Sequence, residues 1–519
     1  MNAPASRRRW FVPLAGFAAV ALFLVMVARF WHPVFGFTAL IQLDAPNDDL
    51  KIAAFRERPV YVHRDTGGYD GLYYAQIAYH PLLDADELRP AIDNFAYRAR
   101  RILPSALAWL LAGGNPAWIV HVYSMLNLAA WLALAALLWR RLAISDLRGG
   151  LAWAGVLFSA GALASVRLAL TDLIALVILA WAVFAAEREK DKTAVGALAA
   201  AALARETALL GVAGLIERPW LSWKNFVRAL AVVAPLALWL GYVRWRVGAA
   251  DQGWANFTLP LAGFVEKWRA SVGAVATVND KILAWTTLLA TLGLTAQAVF
   301  IVARPRLDDR WWRVGAAYVG LMALLGTAVW EDFPGAAMRV LLPLTLAFNI
   351  LAQRTRAPLA WLLIGNLGVF AGFVAWRDVP YRSQELALVR SAEVAAIARP
   401  GEGWFSLERS GAHRWSWTAA RGTVVFETWP KSTPVSVRLD FQLRSPAPRI
   451  VILRQDGREI YRTTVGAVLT AHHAEVQLSP GHATLEFATD TPGVPEGPNA
   501  DARSLAFALY DLRLSVTEK

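Results

Sequence analysis

Residues 194–218 read AVGALAAAALARETALLGVAGLIER. The run is long and apolar enough to cross a bilayer, yet Arg205, Glu206 and Thr207 interrupt it. Ionisable groups inside an apolar segment are costly, and they usually face a cavity or one another. How this segment is drawn decides the topology of the chain. A single straight crossing would put every later basic cluster outside, against the cytoplasmic bias of Lys and Arg. Two short helices broken near Arg205 put the clusters at 218–228, 304–313 and 354–356 inside. The broken pair is therefore expected, because irregular backbone at membrane depth is tolerated where it is buried or lines a cavity.

Working outward, the other apolar runs fall into place around the basic clusters. Span 11–31 follows Arg7-Arg8-Arg9. It reads as an uncleaved anchor, since no small-residue cleavage site follows in Arg29-Phe30-Trp31-His32-Pro33. The loop 32–115 is then outside, and span 116–139 returns to Arg140-Arg141 inside. Spans 150–168 and 170–187 form a hairpin with its tip outside. Spans 226–245, 281–303, 313–331, 337–353 and 358–376 complete a total of about 11 crossings. The loop 246–280 and everything after Arg377 face outside. Residues 97–113 are read as a partly embedded helix, because a crossing there would place Arg140-Arg141 outside.

Composition agrees. Of 519 residues, 56% are hydrophobic and only 18% charged, and the mean hydropathy is +0.38. A soluble average is near 25% charged. The absence of cysteine excludes disulfides, zinc–thiolate sites, iron–sulfur clusters and cysteine nucleophiles. The net charge of +12 lies largely in short clusters beside apolar runs, which is the footprint of cytoplasmic loops and gives no support for nucleic acid. There is no GxGxxG after a strand and no P-loop, so nucleotide binding has no support either. The histidines show no HExxH pairing.

From about Gly401 the pattern changes. Val435 to Phe441 alternates at period two, as do Ile450 to Leu453, Ala474 to Leu478, Thr484 to Phe487 and Leu505 to Leu514. Asp456-Gly457, Ser479-Pro480-Gly481 and Pro492-Gly493 supply the turns. Short strands at regular spacing predict a β-sandwich. The expected fold is thus an α-helical polytopic membrane protein with a C-terminal all-β, jelly-roll-like sandwich. Its parts are a transmembrane domain over 1–376, a connecting helix over 377–400 and a sandwich over 401–519.

Several polar residues stand out against this background. Asp70 lies in Gly67-Gly68-Tyr69-Asp70-Gly71-Leu72-Tyr73-Tyr74. In a helix over 69–79 it shares a face with Tyr73, Tyr74 and Ile77. A carboxylate over an aromatic face suits sugar binding and removal of a hydroxyl proton; alternatively Asp70 caps the helix that follows a turn. Arg98 and Arg101 lie three apart on one helical face. They suit a lipid phosphate, or a basic interfacial helix on anionic headgroups. Arg167 and Asp172 flank the hairpin tip and pair with one another, mark the helix ends or serve a site. Arg205 and Glu206 face a cavity, or form an ion pair that locks the break. Arg339, near Glu331 and Asp332 and just before Leu341-Leu342-Pro343, is a second phosphate candidate.

Taken together, these pieces resemble the bacterial GT-C class of membrane glycosyltransferases, near the protein mannosyltransferase-like and PIG-V-like enzymes. The resemblance covers about residues 1–376. It is carried by Gly68-Tyr69-Asp70-Gly71 with Tyr73-Tyr74, Tyr97-Arg98 through Pro104, Thr171-Asp172, Ala204 through Ala208, Asn256-Phe257 to Pro260, and Arg339 through Pro343. It implies a polyprenyl-phosphate sugar donor and a glycan, lipid or protein acceptor. It places the work on the periplasmic face of an inner membrane, with the catalytic carboxylate in the first outer loop, here Asp70. Many members carry two adjacent acids there; this chain has one, with Asp65 nearby, and the two acids could share a divalent cation such as Mg or Mn. The C-terminal part resembles glycan-holding sandwiches appended to such enzymes.

The chemistry fits the inventory. A glycosyl phosphate has a good leaving group, so one base and several cations suffice, whereas glycosidases need a carboxylate pair. The expected roles are Asp70 as base, Glu206 beside it in the catalytic group to orient Arg205, and Arg98, Arg101, Arg205 and Arg339 on the donor phosphate. Tyr69, Tyr73, Tyr74, Asp172 and Asn256 would line the substrate. A flippase for lipid-linked sugars would normally show internal repeats, and none is visible. A membrane anchor for a glycan-binding sandwich would need only one or two helices.

Overall fold

The computed structural model describes residues 5–45, 50–64, 67–142, 144–249, 256–380, 384–496 and 503–517. The chain divides into two compact units. The first comprises Met1–Trp31, Phe37–Ile52 and Val62–Val379; the second comprises His32–Gly36, Ala53–Tyr61 and Pro380–Lys519.

The first unit is helical. Among the described residues, three helices are long and apolar enough to cross a membrane: Pro116–Trp139, Trp223–Arg246 and Lys281–Ala303. A fourth span results if Leu147–Leu157 and Ala160–Arg167, bent by 43°, count as one. These helices begin at side-chain caps, as polar residues at helix entries require: Asn115 accepts from the Ala117 amide, Asp146 from Gly149, Ser222 from Asn225 and Asp280 from Leu283. The other apolar helices are shorter, for example Asp172–Ala186. Residues 97–113 contain the ten-residue helix Ile102–Leu111, about 15 Å long at 1.5 Å per residue and too short to span.

The segment 194–218 is broken where its charges fall. Asp191–Ala204 is α-helical, Arg205 is extended at φ −156° and ψ 124°, and Glu206–Gly214 continues as a 3-10 helix. The break frees the side chains of Arg205 and Glu206 to leave the helix axis in different directions. Gly211 allows the close return: a Cβ there would lie 2.8 Å from Leu198 Cδ1.

The second unit is built on two antiparallel sheets. One runs Arg458–Val465, Arg449–Gln455, His482–Ala488, Arg421–Trp429, Ala395–Pro400, Ala387–Arg390; the other runs Thr470–Leu478, Val435–Arg444, Phe507–Val516, His413–Thr418, Glu408–Ser410. Alternate residues of both, such as Phe426, Leu485, Leu439, Phe441 and Phe507, form one buried cluster, which makes this a sandwich.

Two expectations about boundaries are corrected here. Among the described residues no helix lies over 377–400; they include the hairpin of Ala387–Arg390 with Ala395–Pro400. Ala396 and Ala398 enter the sandwich core, while Ala395 and Ile397 pack with Val34, Phe35 and Trp429. A strand buried on both faces has no alternation, so it reads as an apolar helix. Nor does the second unit begin at 401, since 32–36 and 53–61 belong to it. His32 ties the first of these in. Its Nδ1 accepts from the Val34 and Phe35 amides, so its Nε2 carries the proton and donates to Glu385 at 3.0 Å.

Candidate active site

The short helix Gly71–Ile77 opens directly after Asp70. The Asp70 side chain makes no capping bond, which removes the reading of it as a helix cap. Its carboxylate instead meets two guanidinium groups from distant segments. Arg98 Nη1 lies 2.9 Å from Oδ1, and Arg339 Nη2 lies 3.3 Å from Oδ2. Arg98 also donates to Asp93 at 3.0 and 2.8 Å and lies over the Tyr73 ring, 4.8 Å from its centroid.

Arg339 joins this pair to a second one. It is 3.4 Å from Asp172 Oδ2 and donates to the Tyr69 hydroxyl at 3.2 Å. Asp172 is also ion-paired with Arg205. Asp172 therefore takes its cations from Arg205 and Arg339. Arg167, one of the partners considered for it, donates to the Ala39 carbonyl and lies over the Phe30 ring. The expected pairing of Glu206 with Arg205 is likewise corrected. Glu206 grips Arg101 through both oxygens at 2.8 and 2.9 Å, because the extended backbone at Arg205 sends neighbouring side chains to opposite sides. Arg101 also donates to the Tyr74 and Tyr97 hydroxyls at 2.8 and 3.1 Å, and Asn256 lies 3.5 Å from the latter. Asp70, Tyr69, Tyr73, Arg98, Asp172, Arg205 and Arg339 thus form one set of contacts and Tyr74, Arg101, Glu206 and Asn256 another, linked where Arg98 lies over the Tyr97 ring, 5.7 Å from its centroid; Arg167 stays apart, and Asp65 lies outside the described residues.

Asp93 and Tyr97 join the network without having been singled out as site residues. For Tyr97 the signal was available, since Tyr97 and Arg101 are four apart on one face.

Two glycines let the pieces approach. A Cβ on Gly71 would lie 2.2 Å from the Leu168 carbonyl oxygen, and one on Gly161 would lie 2.3 Å from that of Met338. The first seats the Asp70 segment on the turn before Asp172; the second seats Arg339 against the helix Ala160–Arg167. Gly71→Ala is expected to cost about 1–3 kcal/mol as overpacking against rigid backbone, read as a lower unfolding temperature in detergent. Gly67→Ala, with nothing within 4 Å, should leave that temperature unchanged.

The electrostatics follow from the contacts. Burial pushes the Asp70 carboxyl up, but Arg339 and Arg98, with Arg101 and Arg205 behind them, outweigh it and hold the group below its ordinary range. Asp70 is ionised at neutral pH. Arg98, Arg101, Arg205 and Arg339 are matched in number by Asp70, Asp93, Asp172 and Glu206, yet among the described residues the buried Nε atoms of Arg205 and Arg339 have no acceptor. Such a site has guanidinium groups to offer an anion. A divalent cation fits poorly: the oxygens of Asp70 face Arg98 and Arg339, and Asp172 is flanked by the same Arg339 and by Arg205. Among the described residues no three His, Asp or Glu side chains converge as a metal site.

No family model matches the chain, and no curated protein matches it. Among solved structures, the chain is similar to the arabinosyltransferase EmbB from Mycobacterium smegmatis at 12% identity and a TM-score of 0.18, over 96% of this chain and 64% of that one. A structure described as "CBM4 structure and function" aligns with 23% of this chain and 78% of its own, at 9% identity and a TM-score of 0.16.

Proposed function

We propose that this protein is a membrane glycosyltransferase that moves a sugar from a polyprenyl-phosphate donor to a glycan, lipid or protein acceptor. The reading takes the shorter apolar helices as crossings too, about 11 in all, with the Asp70 loop on the periplasmic side of a bacterial inner membrane. The observation that carries it is Asp70 held at 2.9 and 3.3 Å by Arg98 and Arg339, with Arg101 and Arg205 in the same network. One base and several cations are the inventory for transfer from a glycosyl phosphate.

The geometry supports an order of events. At rest, Arg98 and Arg339 are occupied by the Asp70 carboxylate. A donor phosphate competes for those guanidinium groups and draws them away. Asp70 then recovers basicity and takes the proton of the acceptor hydroxyl as that oxygen attacks the anomeric carbon. The bond from that carbon to the phosphate oxygen breaks, and the phosphate leaves with its charge held by the arginines. Tyr69, Tyr73 and Tyr74 line the sugar's path, Asp172 and Glu206 keep Arg339, Arg205 and Arg101 aimed, and Asn256 meets the substrate beside Tyr97. The sandwich binds or positions the glycan acceptor.

This order has a pH signature. The acid limb of kcat/KM reports the free enzyme and that of kcat the donor complex. Asp70 is depressed by its arginines in the free enzyme and less so once phosphate occupies them. The acid limb of kcat should therefore lie at higher pH than that of kcat/KM, and coincident limbs would argue against the exchange.

The decisive experiment is transfer of radiolabelled sugar from a panel of polyprenyl-phosphate sugars by the purified protein in nanodiscs. Transfer from one donor supports the reading. Movement of labelled lipid across a bilayer with no transfer would favour the flippase.

A further inference from the structure

The helix Ala262–Thr277 carries a lysine that the mechanism above does not use. Lys267 is 4% exposed, and lysines are seldom buried unless paired. Its ammonium donates to the backbone carbonyl of Asp332 at 2.7 Å and lies 5.8 Å from the centroid of the Phe333 ring. Burial pushes it down to about 8, with the Asp332 carboxylate opposing, so it stays largely charged at neutral pH.

The carbonyl it holds belongs to an unusual turn. Asp332 sits at φ +67° and Gly335 at φ +100°. The left-handed conformation is unfavourable for a non-glycine residue, so the surroundings must hold Asp332 there. The turn is folded tightly on itself, since a Cβ on Gly335 would lie 2.7 Å from the Glu331 carbonyl oxygen and 2.8 Å from that of Trp330. The helix bearing Lys267 is clamped to the same region. A Cβ on Gly263 would lie 2.4 Å from the Leu325 carbonyl oxygen, and the Phe264 and Trp330 rings are 5.6 Å apart.

The turn runs straight into Ala337–Val340, the four-residue helix that carries Arg339. The Met338 amide donates to the Gly335 carbonyl at 3.4 Å, and the Arg339 amide to that of Ala336 at 3.1 Å. So short a helix has no direction of its own; the turn before it and the packing around it aim it. We propose that Lys267 is a positioning residue: by holding the Asp332 carbonyl it fixes the turn 331–335, and through the turn it aims the Arg339 guanidinium at Asp70 and Asp172. This rests on the transfer reading for its effect on rate, and on the structure alone for its effect on the turn.

The test uses the full-length protein in nanodiscs and two readouts. In Lys267→Met, amide hydrogen exchange over 331–340 should quicken about tenfold or more as the turn loosens, while exchange in Pro116–Trp139 stays slow. Should that control helix lose protection, Lys267→Gln, which keeps a polar head, carries the same test. Donor kcat/KM should fall about 10- to 100-fold, the scale of misplacing a positioned group. In an Arg339→Lys background the same substitution should cost little more, because both changes spoil one interaction. Unchanged exchange over 331–340 would overturn the anchoring role. A full additional loss in the Arg339→Lys background would overturn the route through Arg339. Absence of transfer by the wild type would defeat the transfer reading instead, with the exchange result still deciding whether Lys267 holds the turn.

Discussion

Asp70→Asn is expected to abolish sugar transfer, by about 10²–10⁴-fold in kcat, while the protein still inserts and folds. Asparagine keeps the shape and can accept a hydrogen bond from Arg98 or Arg339, but it cannot take a proton. The donor KM offers a second, less obvious reading. Asp70 competes with phosphate for Arg98 at 2.9 Å and Arg339 at 3.3 Å. Removing its charge relieves that competition, so donor affinity should hold or rise as turnover disappears. An Asn variant that keeps a tenth of the wild-type kcat would remove Asp70 from the role of base. A variant that loses donor binding would make Asp70 an organiser of the arginines instead.

The second large effect belongs to Arg339. It bridges Asp70 and Asp172, and the Asp172 carboxylate is almost fully buried. Truncating one partner of a buried pair leaves an uncompensated charge and costs about 3–5 kcal/mol. Arg339→Met should therefore lower the unfolding temperature more than Arg98→Ala, because Arg98 keeps company with exposed Asp93. Adding Asp172→Asn to Arg339→Met should lower stability further, since it takes from the buried Arg205 the carboxylate it is paired with. Transfer should stay lost in the double variant, as neither change returns the cation. Equal unfolding temperatures for the single and double variants would mean that the Asp172–Arg205 pair adds nothing to stability.

Much of this was legible along the chain. The charge interruption in 194–218 announced the break at Arg205, because an apolar helix does not carry two ionisable groups without a reason to open. Period-two stretches such as Val435 to Phe441 announced strands. Asp70, Arg98, Arg101, Arg205, Glu206 and Arg339 stood out since each is expensive where it lies. The hairpin Ala387–Pro400 was not legible: its inner strand is buried on both faces and so lacks the alternation by which strands are recognised. Lys267 was not legible either, as its burial depends on a turn more than sixty residues further on.

The sequence by itself determined the runs apolar enough to enter a membrane, the β-rich C-terminal part and the ionisable residues that are costly where they lie. Those are properties of local composition and period, which hydrophobicity and backbone sterics read one segment at a time. Only the tertiary structure decided the partners. It took Glu206 to Arg101, Asp172 to Arg205 and Arg339, and Asp70 to Arg98 and Arg339. Several arginines and several carboxylates allow many pairings of similar Coulomb energy. Which pairing forms is settled by where the backbone can approach, at Gly71 against Leu168 and Gly161 against Met338, and that is a matter of packing between segments far apart in the chain.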